Sequence, residues 1–424
     1  MLLKNVRYLI TQNNEREILE NVDIRISNGK INQIEEKIEA GIEENTEDFS
    51  DKILMPGLIN CHTHVSMALF RGISDDKELD AWLQEDIFPA EQERDSEDVY
   101  NGAKLGIVEM LKTGTTCFND QYGPENKVAE AVEETGIRAV LGQGVIDIER
   151  DTEEALKESR EFIEEWMDHD RINLAVNPHS VYTCSTKALE QLVEQSEEFE
   201  LPIHVHVSET EKENQDMLDE KEVTPTEYLE ELGVLDRKVI AAHCTHLTSN
   251  DLEILAEKDI GIAHNPCANL KLGSGIADTS EYIEKGIDVG LGTDGVASNN
   301  NFNMFEEMKF ASLLQKNGDP TQMSAQKALD MATINAAKVL GMEDKIGSIE
   351  KGKKADLVAI DLKREDLSPL YGKKGLISNL VFSFNGEVDD VFVDGEQLLA
   401  GRQLKFNVDE SKAEIQDFAD SILK

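Results

Sequence analysis

From about Leu54 to Leu340, short apolar runs alternate with segments that have a helical pattern of apolar residues. Strands that alternate with helices are typical of βαβ units, whose strands are parallel. Eight candidate strands can be counted: one at 53–59, then Thr115–Asp120, Arg138–Asp147, Ile172–His179, Pro202–Glu209, Val239–His246, Gly261–Asn265 and Asp288–Asp294. Eight such units predict a (β/α)8 TIM barrel. A doubly wound open sheet is the alternative, but the Gly-rich loop that usually follows its first strand is missing.

Both chain ends have strand patterns outside this barrel. The N-terminal candidates are Leu3–Ile10, Ile18–Ile26 and Lys30–Ile38, and the C-terminal ones are Ala355–Asp361 and Val388–Phe392. Neither end is long enough to bury a sheet alone, so we expect the two to pair into one composite β-sandwich. The predicted domains are residues 1–53 for its first part, 54–344 for the barrel, and 345–424 for its second part with a terminal helix.

The charge of the chain limits its partners. With 86 acidic and 42 basic residues, the formal net charge is -44, which argues against binding to a phosphate backbone. No apolar run approaches the length of a membrane span, and the N-terminus lacks the pattern of a signal peptide. The five cysteines are far apart and odd in number, which argues against disulfides. We therefore expect a soluble, cytoplasmic protein with neither a nucleic-acid nor a membrane partner.

Eight of the nine histidines lie in or just after the candidate strands: His62, His64, His179, His204, His206, His243, His246 and His264. In a TIM barrel the active site is built at the C-terminal ends of the strands, so this placement predicts a site there. For His204, His246 and His264 we expect core histidines with backbone partners.

His62 and His64 end the first strand and are one residue apart, so their side chains point to the same face. Neutral imidazoles suit zinc, iron, nickel or copper, and a catalytic zinc usually has three protein ligands and one open position. The pair predicts half of a metal site. Two packed or surface histidines are the alternative from this pattern alone.

Four motifs along the barrel extend this pattern: Pro56-Gly57-Leu58-Ile59-Asn60-Cys61-His62-Thr63-His64, His204-Val205-His206-Val207-Ser208-Glu209, Ala242-His243-Cys244-Thr245-His246 and Gly292-Thr293-Asp294-Gly295. The set closely resembles the amidohydrolase superfamily, and within it the branch that deaminates 5'-methylthioadenosine, S-adenosylhomocysteine and 5'-deoxyadenosine. Further similar stretches are Phe70-Arg71-Gly72, Asn177-Pro178-His179-Ser180, Asn265-Pro266, Ser298-Asn299-Asn300-Asn301 and Gly347 to Val358.

The resemblance implies a metal held by His62, His64, His206 and Asp294. These ligands suit zinc, and they also suit ferrous iron. Binuclear relatives bridge two metals with a carbamylated lysine at the end of the fourth strand, where this chain has Asn177-Pro178-His179. We therefore expect one divalent metal.

The resemblance also implies catalytic roles for Glu209, His243 and Asp294. Glu209 would exchange protons with the ring nitrogen of adenine, His243 would hydrogen-bond the attacking water, and Asp294 would take the proton of that water. The implied reaction converts the adenine of a 5'-modified adenosine to hypoxanthine and releases ammonia.

Substrate contacts follow from the same resemblance. Glu91 is placed on the ribose hydroxyls and His179 near the nucleoside, whereas Trp82 is open between packing and substrate contact. Members that prefer S-adenosylhomocysteine often have an arginine where this chain has Gln143, and a neutral amide cannot replace its charge. Arg150 follows shortly after and is a candidate to supply it. The preferred 5'-substituent therefore stays open.

Two other functions remain as alternatives. An amidohydrolase acting on guanine, cytosine or a chlorinated triazine would keep the metal ligands and change the segment between Trp82 and Glu91. A non-catalytic metal-binding protein would have no need for Glu209, His243 and Asp294 together. Members of the family are commonly homo-oligomers, which this sequence neither supports nor opposes.

The acidic excess predicts that the protein is adapted to a salt-rich cytoplasm. Like charges repel each other at low ionic strength, and salt screens them within about 3 Å at 1 M. We expect the midpoint of thermal unfolding to be higher in molar KCl than in 0.05 M KCl, as measured by circular dichroism. A midpoint that falls between these two concentrations would contradict the adaptation.

Overall fold

A computed structural model describes residues 1–148 and 150–422 of the chain. The chain forms two compact units. One contains residues 1–59, 108–117 and 303–407, and the other contains 60–107, 118–302 and the chain from 408 on. These units do not coincide with the domains expected from the sequence, whose limits at residues 53 and 344 stay a prediction.

The described strands are, in chain order, β1 (Leu2–Ile10), β2 (Ile18–Ser27), β3 (Lys30–Glu35), β4 (Thr46–Asp48), β5 (Lys52–Pro56), β6 (Leu58–His64), β7 (Thr115–Tyr122), β8 (Arg138–Val145), β9 (Ile172–Leu174), β10 (Asn177–Pro178), β11 (Ile203–Val207), β12 (Val239–His243), β13 (Ile260–His264), β14 (Asp288–Leu291), β15 (Asp294–Gly295), β16 (Leu357–Asp361), β17 (Asp390–Val393), β18 (Glu396–Ala400) and β19 (Gln403–Leu404). Strands β6 to β15 alternate with helices, whereas the others lie near the chain ends.

The described α-helices are α1 (Leu79–Trp82), α2 (Phe88–Glu93), α3 (Ser96–Lys112), α4 (Glu125–Thr135), α5 (Thr152–Trp166), α6 (Thr186–Phe199), α7 (Glu211–Lys221), α8 (Pro225–Glu231), α9 (Ser249–Ala256), α10 (Pro266–Lys271), α11 (Thr279–Glu284), α12 (Val296–Asn299), α13 (Met304–Leu314), α14 (Ala325–Met331), α15 (Ile334–Val339), α16 (Lys373–Phe382) and α17 (Asp409–Ile422). A π-helical turn at Leu83–Ile87 joins α1 to α2, and 3-10 turns lie at Val65–Phe70, Val234–Asp236 and Glu365–Leu367. No described helix is both long enough and apolar enough to cross a membrane.

Side-chain caps set where several of these helices begin. Asp151 accepts a hydrogen bond from the N–H of Glu154 at the start of α5, and Thr210 accepts from Glu213 at the start of α7. Thr224 and Thr248 form capping boxes with the third residue of α8 and α9. Such caps satisfy backbone donors that have no partner within the helix, so these four sequence positions fix helix starts.

The parallel strands confirm the predicted (β/α)8 architecture. One set runs in the order β10-β8-β7-β6-β15 and the other in the order β11-β12-β13-β14. A bridge between Val176 and Ile203 links the sets, and β15, which follows β14, pairs in parallel with the end of β6. All residues of β7 and of β11 are buried, as expected for parallel strands that are covered on both faces.

Two of the eight predicted strands are interrupted, and near each break an asparagine side chain hydrogen-bonds a backbone group of another segment. The fourth strand consists of β9 and β10, and near the break Asn177 Nδ2 donates to the carbonyl oxygen of Gly142 (2.8 Å). The eighth consists of β14 and β15, and there Asn60 Oδ1 accepts from the N–H of Thr293 (3.0 Å). The chain thus leaves the regular ladder at these two strand ends.

The strands from the two chain ends form one nine-stranded sheet, which confirms the expected composite element. Its order is β19-β18-β17-β16-β5-β1-β2-β3, with β4 paired to β1. The two ends meet where β5 pairs with β16 over residues 52–56 and 357–361. Buried apolar side chains from both ends pack together, among them Leu3, Phe49 and Phe392. Each end thereby supplies the apolar contacts that the other lacks.

Candidate functional site

Four strands bring five of the predicted site residues together. His62 and His64 end β6, His206 lies in β11, His243 ends β12, and Asp294 begins β15. All of them belong to the unit that contains residues 118–302. The parallel arrangement places the C-terminal ends of these strands at the same edge, which is where TIM barrels build their sites.

Four donor atoms converge at this edge. His62 Nε2 lies 3.4 Å from Asp294 Oδ1, and His64 Nε2 lies 3.3 Å from the same oxygen. His206 Nε2 lies 3.4 Å from His64 Nε2. A tetrahedral zinc ion with ligands at about 2.0–2.1 Å has ligand atoms roughly 3.3–3.4 Å apart. The spacing therefore fits a metal better than it fits direct hydrogen bonds.

The opposite ring nitrogens fix the orientation of these imidazoles. His64 Nδ1 donates to the carbonyl oxygen of Gln121 (2.5 Å), and His206 Nδ1 donates to that of His179 (2.7 Å). Because a carbonyl only accepts, both rings must carry their hydrogen on Nδ1 and leave Nε2 with a free lone pair. His62 Nε2 is buried and has no hydrogen-bond partner in the described part of the chain. The donor set thus fits a metal ion.

Burial and charge favour the forms of these groups that bind metal. Burial lowers the pKa of His62 to about 3 and holds the pKa of His206 well below its usual value. Burial alone would raise the pKa of Asp294, but its interactions with His62 and His64 bring it below the usual range. Neutral imidazoles and an ionised carboxylate are the species that coordinate divalent metals.

The backbone is strained at three of the strand ends. Ser208, His243 and Asp294 have φ values of 48°, 70° and 62°, in the left-handed region that favours glycine. Each such residue costs about 1–3 kcal/mol and persists only where its surroundings hold it. Asp294 is also held through its side chain, because its Oδ2 accepts a hydrogen bond from Ser298 (2.7 Å). From these positions the side chains of His243 and Asp294 line the cavity of the site.

Glu209 and His243 form a second pair beside the donor set. Glu209 Oε2 lies 3.9 Å from His243 Nε2, and His243 Nδ1 donates to Asn269 Oδ1 (2.8 Å). Burial raises the pKa of Glu209. Burial would lower the pKa of His243, but the charges of Glu209 and Asp294 raise it overall. Both shifts favour the protonated form of the group, which is the form that a general acid needs.

A cavity of about 650 Å³ opens over these residues. Its lining includes the following residues singled out from the sequence: His64, Trp82, Glu91, Gln143, Arg150, His179, His206, Glu209, His243 and Asp294. His62 is completely buried beneath them. A cavity of this size suits a nucleoside-sized ligand.

The far wall of the cavity holds Glu91 in a small polar cluster. The hydroxyl of Tyr122 donates to Glu91, and the guanidinium of Arg94 lies 4.8 Å from the centre of the Tyr122 ring. Trp82 is 4% exposed, and its Nε1 is buried without a partner among the described residues. Neither Tyr122 nor Arg94 was predicted from the sequence, because Tyr122 is far from Glu91 along the chain and Arg94 stands among acidic residues.

Gln143 and Arg150, the two residues considered as contacts for the 5'-substituent, both have partners within the chain. Gln143 Oε1 accepts from the N–H of Glu125 (3.0 Å) at the start of α4. Arg150 Nη2 lies 2.7 Å from Glu158 Oε2, and Glu158 also lines the cavity. The positive charge on this wall is thus already paired.

Three residues behind the site were missed or underrated by the sequence analysis. Asp120 Oδ1 accepts from Thr63 Oγ1 (2.5 Å) and from the N–H of Val65 (2.6 Å), on either side of His64. Glu213 Oε2 accepts from the N–H of Glu209 (2.7 Å). His204 contacts His62 through its ring instead of only a backbone partner. Two of the three had a signal in the sequence: Asp120 is an acid in the polar end of β7, and Glu213 is a glutamate four residues after Glu209.

Known proteins resemble this chain over most of its length. A family model described as the amidohydrolase family matches residues 53–398. The 5'-deoxyadenosine deaminase of Methanothermobacter thermautotrophicus is 44% identical over 390 residues, or 90% of each chain. The 5-methylthioadenosine/S-adenosylhomocysteine deaminase of Halothermothrix orenii is 41% identical over an alignment of 431 positions that covers 99% of each chain.

Solved structures agree over nearly the whole length. An adenosine deaminase from Xanthomonas campestris with bound zinc has a TM-score of 0.95 and 33% identity, and the match covers 99% of this chain and 98% of that one. An atrazine chlorohydrolase from Arthrobacter aurescens, also with zinc, has a TM-score of 0.92 and 22% identity, with 98% and 99% covered. At that identity the second match shows the fold alone.

The buried carboxyl of Glu213 predicts that the stability of the fold depends on pH. Burial raises its pKa from 4.5 to about 7, so the folded state holds this proton more tightly than the unfolded state does. The stabilisation is fully present below about pH 4.5 and is lost as the pH rises through 7. Glu213→Gln keeps an acceptor for Glu209 but does not ionise. We expect its free energy of unfolding, relative to wild type, to increase by about 2–3 kcal/mol from pH 5 to pH 8.

Urea unfolding at both pH values measures this difference. Glu211→Gln, an exposed position in the same helical turn, is the control for the loss of one negative charge. Equal differences at pH 5 and pH 8 for Glu213→Gln would contradict the raised pKa.

Proposed function

Because the chain belongs to the amidohydrolase family, we propose that it deaminates the adenine of 5'-modified adenosines to hypoxanthine and releases ammonia. The observation that carries the proposal is the placement of Glu209 and His243 beside the donor atoms of three histidines and Asp294, at one end of a cavity of about 650 Å³. The names of relatives that are 41–44% identical support the same substrate class.

In this proposal His62, His64, His206 and Asp294 hold one divalent metal, zinc or ferrous iron. The spacing of the donor atoms and the unpartnered His62 Nε2 support this ligand set. When bound, such a metal lowers the pKa of water to about 7 and so makes a nucleophile available at neutral pH. The residues around it provide the proton transfers.

Glu209 acts as the acid. Burial raises its pKa and so favours the protonated carboxyl, and in this proposal the proton goes to N1 of adenine while a water oxygen bonds to C6. Asp294 takes the proton that the water loses, and His243 orients that water. Asp294 then passes the proton to the amino group, which leaves as ammonia, and the C6 hydroxyl returns a proton to Glu209. The ring is left as hypoxanthine and both carboxyl groups are restored.

Glu91 and His179 orient the nucleoside in this proposal. A carboxylate can accept hydrogen bonds from both ribose hydroxyls, and the hydroxyl of Tyr122 fixes one oxygen of Glu91. His179 Nδ1 lies 2.8 Å from Thr183 Oγ1, which leaves its other nitrogen toward the cavity it lines. Together they set the distance between the ribose and the reacting ring.

The 5'-substituent of the preferred substrate is uncharged or weakly charged in this proposal. Gln143 has no charge and its oxygen caps α4, and Arg150 is paired with Glu158. A substrate carboxylate would compete with Glu158 for the positive charge of this guanidinium. We expect 5'-deoxyadenosine and 5'-methylthioadenosine to be at least as good substrates as S-adenosylhomocysteine.

An ultraviolet assay tests the function directly. Zinc-loaded protein in high salt is given 5'-deoxyadenosine, 5'-methylthioadenosine, S-adenosylhomocysteine, adenosine or guanine, and the conversion of adenine to hypoxanthine is followed by absorbance. We expect turnover of the 5'-modified adenosines, with kcat/KM for the first two equal to or above that for S-adenosylhomocysteine. Folded, metal-loaded protein that converts none of the adenosines would overturn the proposal.

Glu209→Gln tests the assignment of the acid. The amide keeps the shape but cannot deliver a carboxyl proton, so we expect kcat to fall by roughly 10²–10⁴ with little change in bound zinc. Steady-state kinetics on 5'-deoxyadenosine and metal analysis of the same sample provide the two readouts. Glu211→Gln is the matched control on the exposed side of the neighbouring helix. Wild-type turnover in Glu209→Gln would refute the role of the acid.

A further inference from the structure

Two His-x-His motifs lie on different strands of the same unit, His62-Thr63-His64 in β6 and His204-Val205-His206 in β11. In a strand, side chains two residues apart share a face. His64 and His206 line the cavity, whereas His62 and His204 are both 0% exposed. In each motif the fully buried histidine therefore lies beneath the one that lines the cavity.

The two buried rings meet edge to face. Their centres are 5.0 Å apart with an angle of 82° between the planes, and His62 Nδ1 lies 2.8 Å from His204 Nε2. At this distance a single hydrogen must lie between the two nitrogens. Either His62 donates or His204 does, and the two options place the remaining hydrogens differently.

The proposed metal site decides between the options. A neutral imidazole has one N–H and one acceptor nitrogen. If His62 Nε2 binds the metal, the hydrogen of His62 must be on Nδ1, so His204 Nε2 must accept it. If His204 donated instead, His62 would carry its hydrogen on Nε2 and would have no lone pair for the metal.

His204 differs from the partners of the other two ligands. His64 and His206 donate to backbone carbonyls, which can only accept and so leave no choice of tautomer. His204 could donate or accept, and its Nδ1 is buried without a partner in the described part of the chain. A buried polar nitrogen without a partner is costly, so a histidine that served packing alone would be better replaced by an apolar residue.

We propose that His204 is a positioning residue that accepts the Nδ1 hydrogen of His62 and thereby holds His62 Nε2 ready for the metal. This inference rests on the metal site of the proposed function. It assigns a role to a histidine that the sequence analysis expected to be a core residue.

Three variants test the role of His204 in metal binding. His204→Gln keeps an acceptor oxygen, whereas His204→Leu fills a similar volume without one. His264→Leu is the control, because His264 is also buried and neither of its ring nitrogens has a partner among the described residues. Zinc affinity of metal-free protein is measured by competition with a chromophoric chelator. We expect His204→Leu to weaken zinc binding by about 10–100-fold, and His204→Gln and His264→Leu to stay within about threefold of wild type.

Two further readouts separate positioning from a purely structural role. Thermal unfolding of the metal-free variants reports packing, so a lower unfolding midpoint with unchanged zinc affinity in His204→Leu would overturn the proposal. Nitrogen-15 NMR of zinc-loaded wild type, labelled at histidine, reports the tautomers directly. We expect hydrogens on Nδ1 of both His62 and His204. A hydrogen on His204 Nε2 would overturn the proposal even if His204→Leu failed to fold.

The outcomes also separate this inference from the proposed function. If zinc binding and tautomers follow the expectation but no adenosine is deaminated, the role of His204 stands and the proposed substrate class fails. If wild-type protein binds no divalent metal, the role of His204 fails as well.

Discussion

The carboxylate of Asp294, held among buried imidazoles, is the interaction on which the site depends. Its Oδ1 lies 3.3–3.4 Å from the Nε2 atoms of His62 and His64, and its Oδ2 accepts from Ser298. A buried charge is tolerated only when its surroundings compensate it. The neighbouring backbone carbonyls and His204 then determine which nitrogen of each ring faces the carboxylate. The chemistry of the site follows from this orientation.

The barrel provides that orientation through the ends of its strands. Left-handed φ values at Ser208, His243 and Asp294 turn the chain out of the regular ladder, and Asn60 satisfies the backbone next to the last of these turns. A cavity forms where the strands end, and its far wall contains Glu91 with Tyr122. The strained backbone and the cavity therefore occur at the same place, the ends of the parallel strands.

Much of the fold was predictable because periodicity is local. Alternating strand and helix patterns predicted the barrel, and the apolar runs Ile18–Ile26 and Lys30–Ile38 predicted the two strands that pair as β2 and β3. The interruption of the fourth and eighth strands was not predictable. Near both breaks Asn177 and Asn60 hydrogen-bond backbone groups of other segments, and strand register decides which groups are within reach.

The sequence by itself determined which residue types stand at the ends of the strands, since a side-chain period of two and a run of apolar residues are enough to place His62, His64, His206 and Asp294 there. The strand pattern alone could not distinguish His204 from His206, because both lie on the same face of one strand, and only the family resemblance separated them. Only the tertiary structure set His204 against His62 and Tyr122 against Glu91. Those contacts depend on how far one strand or helix is displaced along its neighbour, and no local pattern encodes that displacement.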